Sequence, residues 1–149
     1  MTMELEYNRD LYGVEHEAGP FEITADLIQI FNRSIGETSA MFTDQATAQA
    51  AGYSGVLAPP TLVTMLVRNV ELPDIELNFG VMRFHAGQRV QSRAPIVAGD
   101  SLMASSHLKE VYPKTGRSGT MVFTVWETTF TNQDGTVVAD VQESYASRE

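Results

Sequence analysis

Three histidines, His16, His85 and His107, are the side chains of this sequence suited to moving protons near neutral pH. None lies at ligand spacing from another histidine, or from a carboxylate on one helix face. The four-ligand pattern of a structural zinc site is missing, so no metal is expected. Cysteine is absent, which removes disulfides, thiolate nucleophiles and thiolate ligands together. No glycine-rich run has dinucleotide or phosphate-loop spacing, so no cofactor is expected either. Gly52-Tyr53-Ser54-Gly55 reads as a turn, and no serine sits in a nucleophile-elbow pattern. His85 has the most unusual neighbours. It stands in Phe84-His85-Ala86-Gly87-Gln88-Arg89-Val90, near Arg83 and Arg93. If strand parity holds through this run, Arg83, His85, Arg89 and Arg93 share one face. That face is then either a ligand or partner surface, or a hydrogen-bonded histidine beside a solvated basic edge.

The 149 residues carry 10 Lys and Arg against 19 Asp and Glu, a net charge of −9. Such a balance argues against nucleic acid and against an acidic membrane surface as partners. A small anion held by a few local arginines remains compatible with it. The first twenty residues, MTMELEYNRDLYGVEHEAGP, show no basic-then-apolar signal pattern. A soluble cytoplasmic protein is the expectation.

The elements that must position any site are organised around residues 52–70. Pro59-Pro60 leads into Thr61-Leu62-Val63-Thr64-Met65-Leu66-Val67-Arg68-Asn69-Val70. Proline suits a first helical turn. The apolar residues beyond it leave no broad polar stripe, so a helix here is buried, and it is too short to span a bilayer. Upstream, Phe21-Glu22-Ile23 reads as a short strand after the Gly19-Pro20 turn signal. Thr24 caps a helix over residues 25–35, with Asp26 in its first turn and Gly36 at its end. Residues 36–42 read as irregular, and Thr43 as the cap of a short helix over 44–51. Pro73 ends the central helix. Four strand-like runs follow, over residues 81–96, 101–111, 120–131 and 136–146. The connection at 113–119 is polar, and Asn132-Gln133-Asp134-Gly135 is a tight hairpin signal. Strands joined by short turns pair antiparallel. The expected class is α+β: one domain over residues 1–149, with a loosely docked lead-in at 1–19 and a core at 20–146. In it a curved antiparallel sheet wraps a long central helix.

This order of elements resembles the MaoC-like, hot-dog-fold hydratases and dehydratases. Arg93-Ala94-Pro95-Ile96-Val97-Ala98-Gly99-Asp100 looks like that family's Arg/Lys-Pro-x-x-x-Gly-Asp turn. Gly52-Tyr53-x-Gly55-x-Leu57-Ala58-Pro59 and His85-Ala86-Gly87-Gln88 are similar to its non-catalytic members. Those are FAS1-like dehydratase domains, subunits of heterodimeric (3R)-hydroxyacyl-ACP dehydratases and N-terminal halves of double hot-dog enzymes. The resemblance covers about residues 20–146. It implies reversible syn addition of water across a trans-2-enoyl thioester. In catalytic members an Asp and a His within Gly-Asp-x-Asn-Pro-aliphatic-His move the protons of the water. A backbone N–H at the start of the central helix holds the thioester carbonyl.

On that resemblance the Asp position holds Glu37, the His position holds Phe42, and the glycine that supplies the N–H falls on Pro60. Phenylalanine moves no proton, and proline has no N–H to donate. The local site therefore reads as degenerate, and three functions stay open. In the first, the chain is the non-catalytic subunit of an enoyl-thioester hydratase or dehydratase. It pairs with a second hot-dog chain and shapes an acyl site with Phe42, Tyr53, Met65 and Leu66, while His85 and Arg89 hold the acyl-CoA or acyl-ACP carrier. In the second, it is a self-sufficient homodimeric hydratase using Glu37 as base. In the third, it is an acyl-thioester binding or structural module. Plain core packing is the competing role for Met65 and Leu66.

Overall fold

The computed structural model describes residues 3–149. Five strands, β1 (His16–Glu22), β2 (Met82–Ser92), β3 (Ser101–Gly116), β4 (Gly119–Thr131) and β5 (Val137–Arg148), pair antiparallel in the order β1-β3-β4-β5-β2. Between β1 and β2 lie the helices α1 (Ala25–Ile35), α2 (Ala40–Thr43), α3 (Gln45–Ala50) and α4 (Val63–Val67). The expected class, an antiparallel sheet packed on an apolar helical segment, is the one observed.

α1 begins and ends where its sequence dictates. The Thr24 hydroxyl accepts the Leu27 N–H, and Gly36 takes a left-handed φ of 72°. The next helix corrects the sequence reading. Asp44, not Thr43, caps α3 by accepting the Thr47 N–H. Thr43 instead closes α2, its hydroxyl donating to the Ser39 carbonyl, so residues 36–42 are not wholly irregular.

The central helix is shorter than expected. A 3₁₀ turn at Pro60–Leu62 runs into α4, which stops at Val67. Its helical bonds are held by burial: Leu62, Val63, Leu66 and Val67 are all in the core. Arg68 and Asn69 are exposed, and the ladder tightens there, with the Asn69 and Val70 N–H groups donating to Leu66 and Val67. Valine-rich sequence has modest helix propensity, so the helix ends where its buried face ends.

Residues directly opposed across the ladders share one face of the sheet. Ala104, Phe130 and Ala139 form one inner row, and Leu108, Trp126, Glu143 and Gln88 another. Two apolar clusters cover this inner face. One packs Ile28 and Phe31 of α1, with Leu62, Val63 and Leu66, on Leu102, Phe130 and Val141. The other packs Ile75 on Leu108 and Trp126, bordered by Tyr7, Leu11 and Leu72.

The lead-in is docked rather than loose. The Asn8 N–H donates to the Ile75 carbonyl at 2.7 Å and the Asn78 N–H to Glu6 at 2.9 Å, and Leu5 is buried. The first two residues of the expected lead-in lie outside the described residues. β1 starts at His16, earlier than expected, and takes Gly19-Pro20 in as a register slip between Ala18 and Phe21. Proline is tolerated there because β1 is an edge strand. β3 and β4 stay paired as far as Gly116 and Gly119, so most of the expected 113–119 loop is strand. β1 covers β3 only as far as Ser106, so Pro113 lies beyond the β1 pairing.

One irregularity overturns the expected basic face. β2 bulges between His85 and Gly87, and a one-residue slip exchanges the two faces of a strand. Arg83 and His85 oppose Ser147 and Tyr145 on the inner face. Arg89 opposes Gln142 on the outer face, where Arg93 donates to Asp140 at 2.7 Å. The four side chains do not share a surface.

Candidate functional site

The C-terminal end of α1 builds a cleft of about 460 Å³, whose walls include Asn32, Arg33, Glu37, Phe42, Ser54 and Val56. Its geometry follows from the helix stop. The N–H groups of Gly36 and Glu37 both return to the Asn32 carbonyl, a glycine-dependent reversal that satisfies the last turn. The Asn32 side chain donates through Nδ2 to the Phe42 carbonyl at 3.0 Å and ties α2 to α1. Glu37 and Phe42 therefore face one space.

The chemistry available in that space is limited. Glu37 accepts the Ser39 N–H at 2.9 Å, so one carboxylate oxygen already caps its own loop. The other ionisable wall residues are Asp26 and Arg33. Asp26 lies in the first turn of α1, roughly 13 Å of helix from its end. No histidine or tyrosine lines the cleft. Pro60 is not one of its walls; it is exposed at the head of the 3₁₀ turn. The neighbouring N–H groups of Leu57, Ala58 and Leu62 already donate to Met41, Ile96 and Pro59.

The other predicted positions scatter. Leu66 is core, and Met65 packs half-buried against the same cluster. Tyr53 is half-buried and outside the cleft walls. Arg89 lies on the outer face with Asp140 and Gln142. His85 is on the inner face at the free edge. Its Nε2 meets one Glu143 carboxylate oxygen, and Gln88 donates through Nε2 to the other. The His85 ring stands edge-on to Tyr145, centroids 5.4 Å apart. Glu143 is only 8% exposed, so its two partners compensate a buried charge. Burial first, and the Glu143 carboxylate second, push the Tyr145 phenol above its ordinary pKa.

Two participants escaped the sequence reading. Asn32 sits in the apolar stripe of α1 beside Ile28 and Phe31, buried; a lone amide on such a stripe was the available signal. Glu143 alternates with Val141 and Tyr145 along β5, and an acid at inner parity was its signal. Among the described residues, no group of three or more His, Cys, Asp or Glu side chains is placed to hold a metal. No helix among them is long and apolar enough to cross a membrane.

The matched sequence model is that of the FAS1-like, dehydratase domain region, over residues 10–141, and the chain belongs to that family. The UPF0336 protein of Parafrankia sp. (strain EAN1pec) is 34% identical over 146 residues, covering 95% of this chain and 94% of its own. Solved structures share the fold at lower identity. The HadBC (3R-hydroxyacyl-ACP dehydratase) complex of Mycobacterium tuberculosis superposes with a TM-score of 0.76 at 24% identity, over 93% of this chain and 98% of the matched one. The R-hydratase PhaJ1 of Pseudomonas aeruginosa gives 0.70 at 22%, over 93% and 83%. The ChsH1-ChsH2 complex of M. tuberculosis gives 0.69 at 16%, over 99% and 88%. The fold is that of the MaoC-like hot-dog hydratases and dehydratases.

Proposed function

We propose that this chain is the non-catalytic, acyl-binding subunit of an (R)-specific enoyl-thioester hydratase or 3-hydroxyacyl-thioester dehydratase. It joins a second hot-dog chain that carries the acid–base pair. The observation that carries this reading is the content of the cleft. Addition of water across an enoyl thioester needs a base to take one proton and an acid to return another. The cleft offers Glu37 at that place, with Phe42 where a second proton carrier belongs. On the family resemblance the backbone donor falls on Pro60, which has no N–H, and loss of one such donor costs ~10²–10³ in rate.

The free edge supports pairing. Among the described residues no strand neighbours β2 on its far side, and Val81, Met82 and Phe84 are exposed there, Val81 at 95%. An unpaired edge of this length is a template for another strand. Two of the similar structures are complexes of two named chains. An acyl-CoA or acyl-ACP thioester is then the ligand the pair shares, with Phe42 at the cleft and His85 near the seam.

Co-expression with a hot-dog chain carrying intact Gly-Asp-x-Asn-Pro-x-His tests the proposal. The pair should hydrate crotonyl-CoA or a longer enoyl-CoA, and this chain alone should not. Full turnover by this chain alone would overturn it and favour a homodimer using Glu37, the carboxylate that does face the cleft. In that case Glu37→Gln abolishes the activity.

A further inference from the structure

A second pocket, of about 240 Å³, lies between residues 70–75 and the inner face of β4 and β5. It shares no wall residue with the Glu37 cleft, and it touches the proposed partner seam at Arg83, on the β2 edge. We propose that this pocket binds an amphipathic monocarboxylate, its tail among Leu72, Ile75, Trp126 and Tyr145 and its carboxylate on Arg83.

The walls set the tail. Leu72 and Ile75 pack beside Trp126 and Tyr145, giving a half-open, mainly apolar chamber with an aromatic floor. Its volume is below the ~300–1,000 Å³ of drug-sized sites, which suits a short aliphatic chain or a single ring. The polar groups set the head. Arg83 is a wall residue with its side chain half-exposed, and its nearest anion is Asp74 Oδ1 at 4.0 Å. Asp74 is itself 72% exposed. Such an exposed pair at the limit of contact holds Arg83 weakly, whereas a carboxylate ligand can take two parallel N–H bonds from the guanidinium. Asp74 already has other work. Its Oδ1 accepts the Glu76 N–H at 2.9 Å, fixing a turn in which Glu76 takes a left-handed φ of 57°. Thr124 and Tyr145 are also wall residues, and each carries a hydroxyl that is protonated at neutral pH. Asp74, and Glu143 behind Tyr145, oppose the ligand's charge, so Arg83 is the group on which binding turns.

Trp126 is the single tryptophan of the chain, so its fluorescence reports the chamber directly. The intact protein is titrated with octanoate, 1-octanol and octylamine, which share a tail and differ in head group. Octanoate should give a saturable change at lower concentration than the other two. Arg83→Gln should weaken octanoate about tenfold, as loss of a charge-assisted bond does, and leave 1-octanol unaffected. Asp74→Asn, which keeps the Oδ1 acceptor for Glu76, should tighten octanoate. Val70→Phe should fill the chamber and abolish all responses; should it not fold, the exposed Arg83→Gln variant decides alone. Equal affinity for octanoate and 1-octanol, an unchanged octanoate affinity in Arg83→Gln, weakening in Asp74→Asn, or no saturable response would each overturn the assignment.

Discussion

The inner face of the sheet has two halves, and they are covered in different ways. One lies under α1 and α4, where Ile28, Leu62, Leu102 and Phe130 are at or near zero exposure. The other lies under residues 70–78 and the described part of the lead-in, residues 3–15, which carry no helix longer than the three-residue 3₁₀ turn Arg9–Leu11. The helical half is closed by apolar surface with one buried amide, Asn32, at the end of the α1 stripe. The strapped half mixes Trp126 and Ile75 with Glu143, Thr124 and a pocket. The helical half keeps its open space outside the packed layer, in the cleft beside α1, whereas the strap leaves its pocket directly on the inner face of the sheet.

The sharpest way to test that contrast is a truncation in each half. Phe130→Ala removes a fully buried ring from the helical half and should cost ~3–5 kcal/mol in denaturant unfolding. Ile75→Ala, beside an existing pocket that can relax, should cost ~2 kcal/mol, the low end of such changes. Equal losses would mean that the strap is packed as tightly as the helices.

A middle-sized effect is expected at the polar edge. Glu143→Ala leaves His85 and Gln88 without their shared acceptor and should cost ~1–3 kcal/mol. His85→Gln should cost less, because the imidazole side chain is 48% exposed and water replaces its bond. A larger loss from His85 than from Glu143 would move the weight of the cluster from the buried carboxylate to the exposed ring.

Smaller still is the cap at the head of α1. Thr24→Ala should lower stability by ~1 kcal/mol in the same unfolding measurement, the usual worth of a side-chain N-cap. No change would show that the flanking chain, not the hydroxyl, fixes where the helix starts.

The same division governs what the sequence disclosed. α1 was readable because its cap, its apolar period and Gly36 are local signals that agree. The antiparallel pairing of β4 with β5 was readable because the hairpin at 132–135 permits no other. The pairing expected across the Ala98-Gly99-Asp100 turn fails, because β2 crosses the sheet to pair with β5 and not with β3. The pairing of Glu37 and Phe42 across one cleft was readable through family resemblance. The bulge at Ala86 was not, because nothing in Phe84-His85-Ala86-Gly87-Gln88 marks which residue leaves the ladder. That one slip moved Arg89 away from His85. The early end of α4 was likewise hidden: Arg68 and Asn69 are compatible with helix, and only their exposure in the folded chain ends it. The docking of Asn8 on Ile75 depends on a contact 67 positions away, beyond any local pattern.

The smallest expected effect distinguishes the strap by its pH response. The Tyr12 hydroxyl bonds Tyr7 at 2.9 Å, and burial first, then this bond, raise its pKa to about 12 from an ordinary 10.0. In the unfolded chain Tyr12 loses its proton near its ordinary pKa, whereas in the folded chain it keeps it until about 12. Between those values the folded state binds more protons, so stability falls as pH rises. Tyr145, also raised, adds in the same direction. Tyr12→Phe should flatten the decline above pH ~10 in denaturant midpoints and leave those near neutrality almost unchanged. Phe130→Ala, by contrast, should lower every midpoint by a similar amount. If Tyr12→Phe instead shifted the whole profile evenly, the lead-in would be held by packing like the helical half. The hydrogen-bonded phenols would then not be what fastens it.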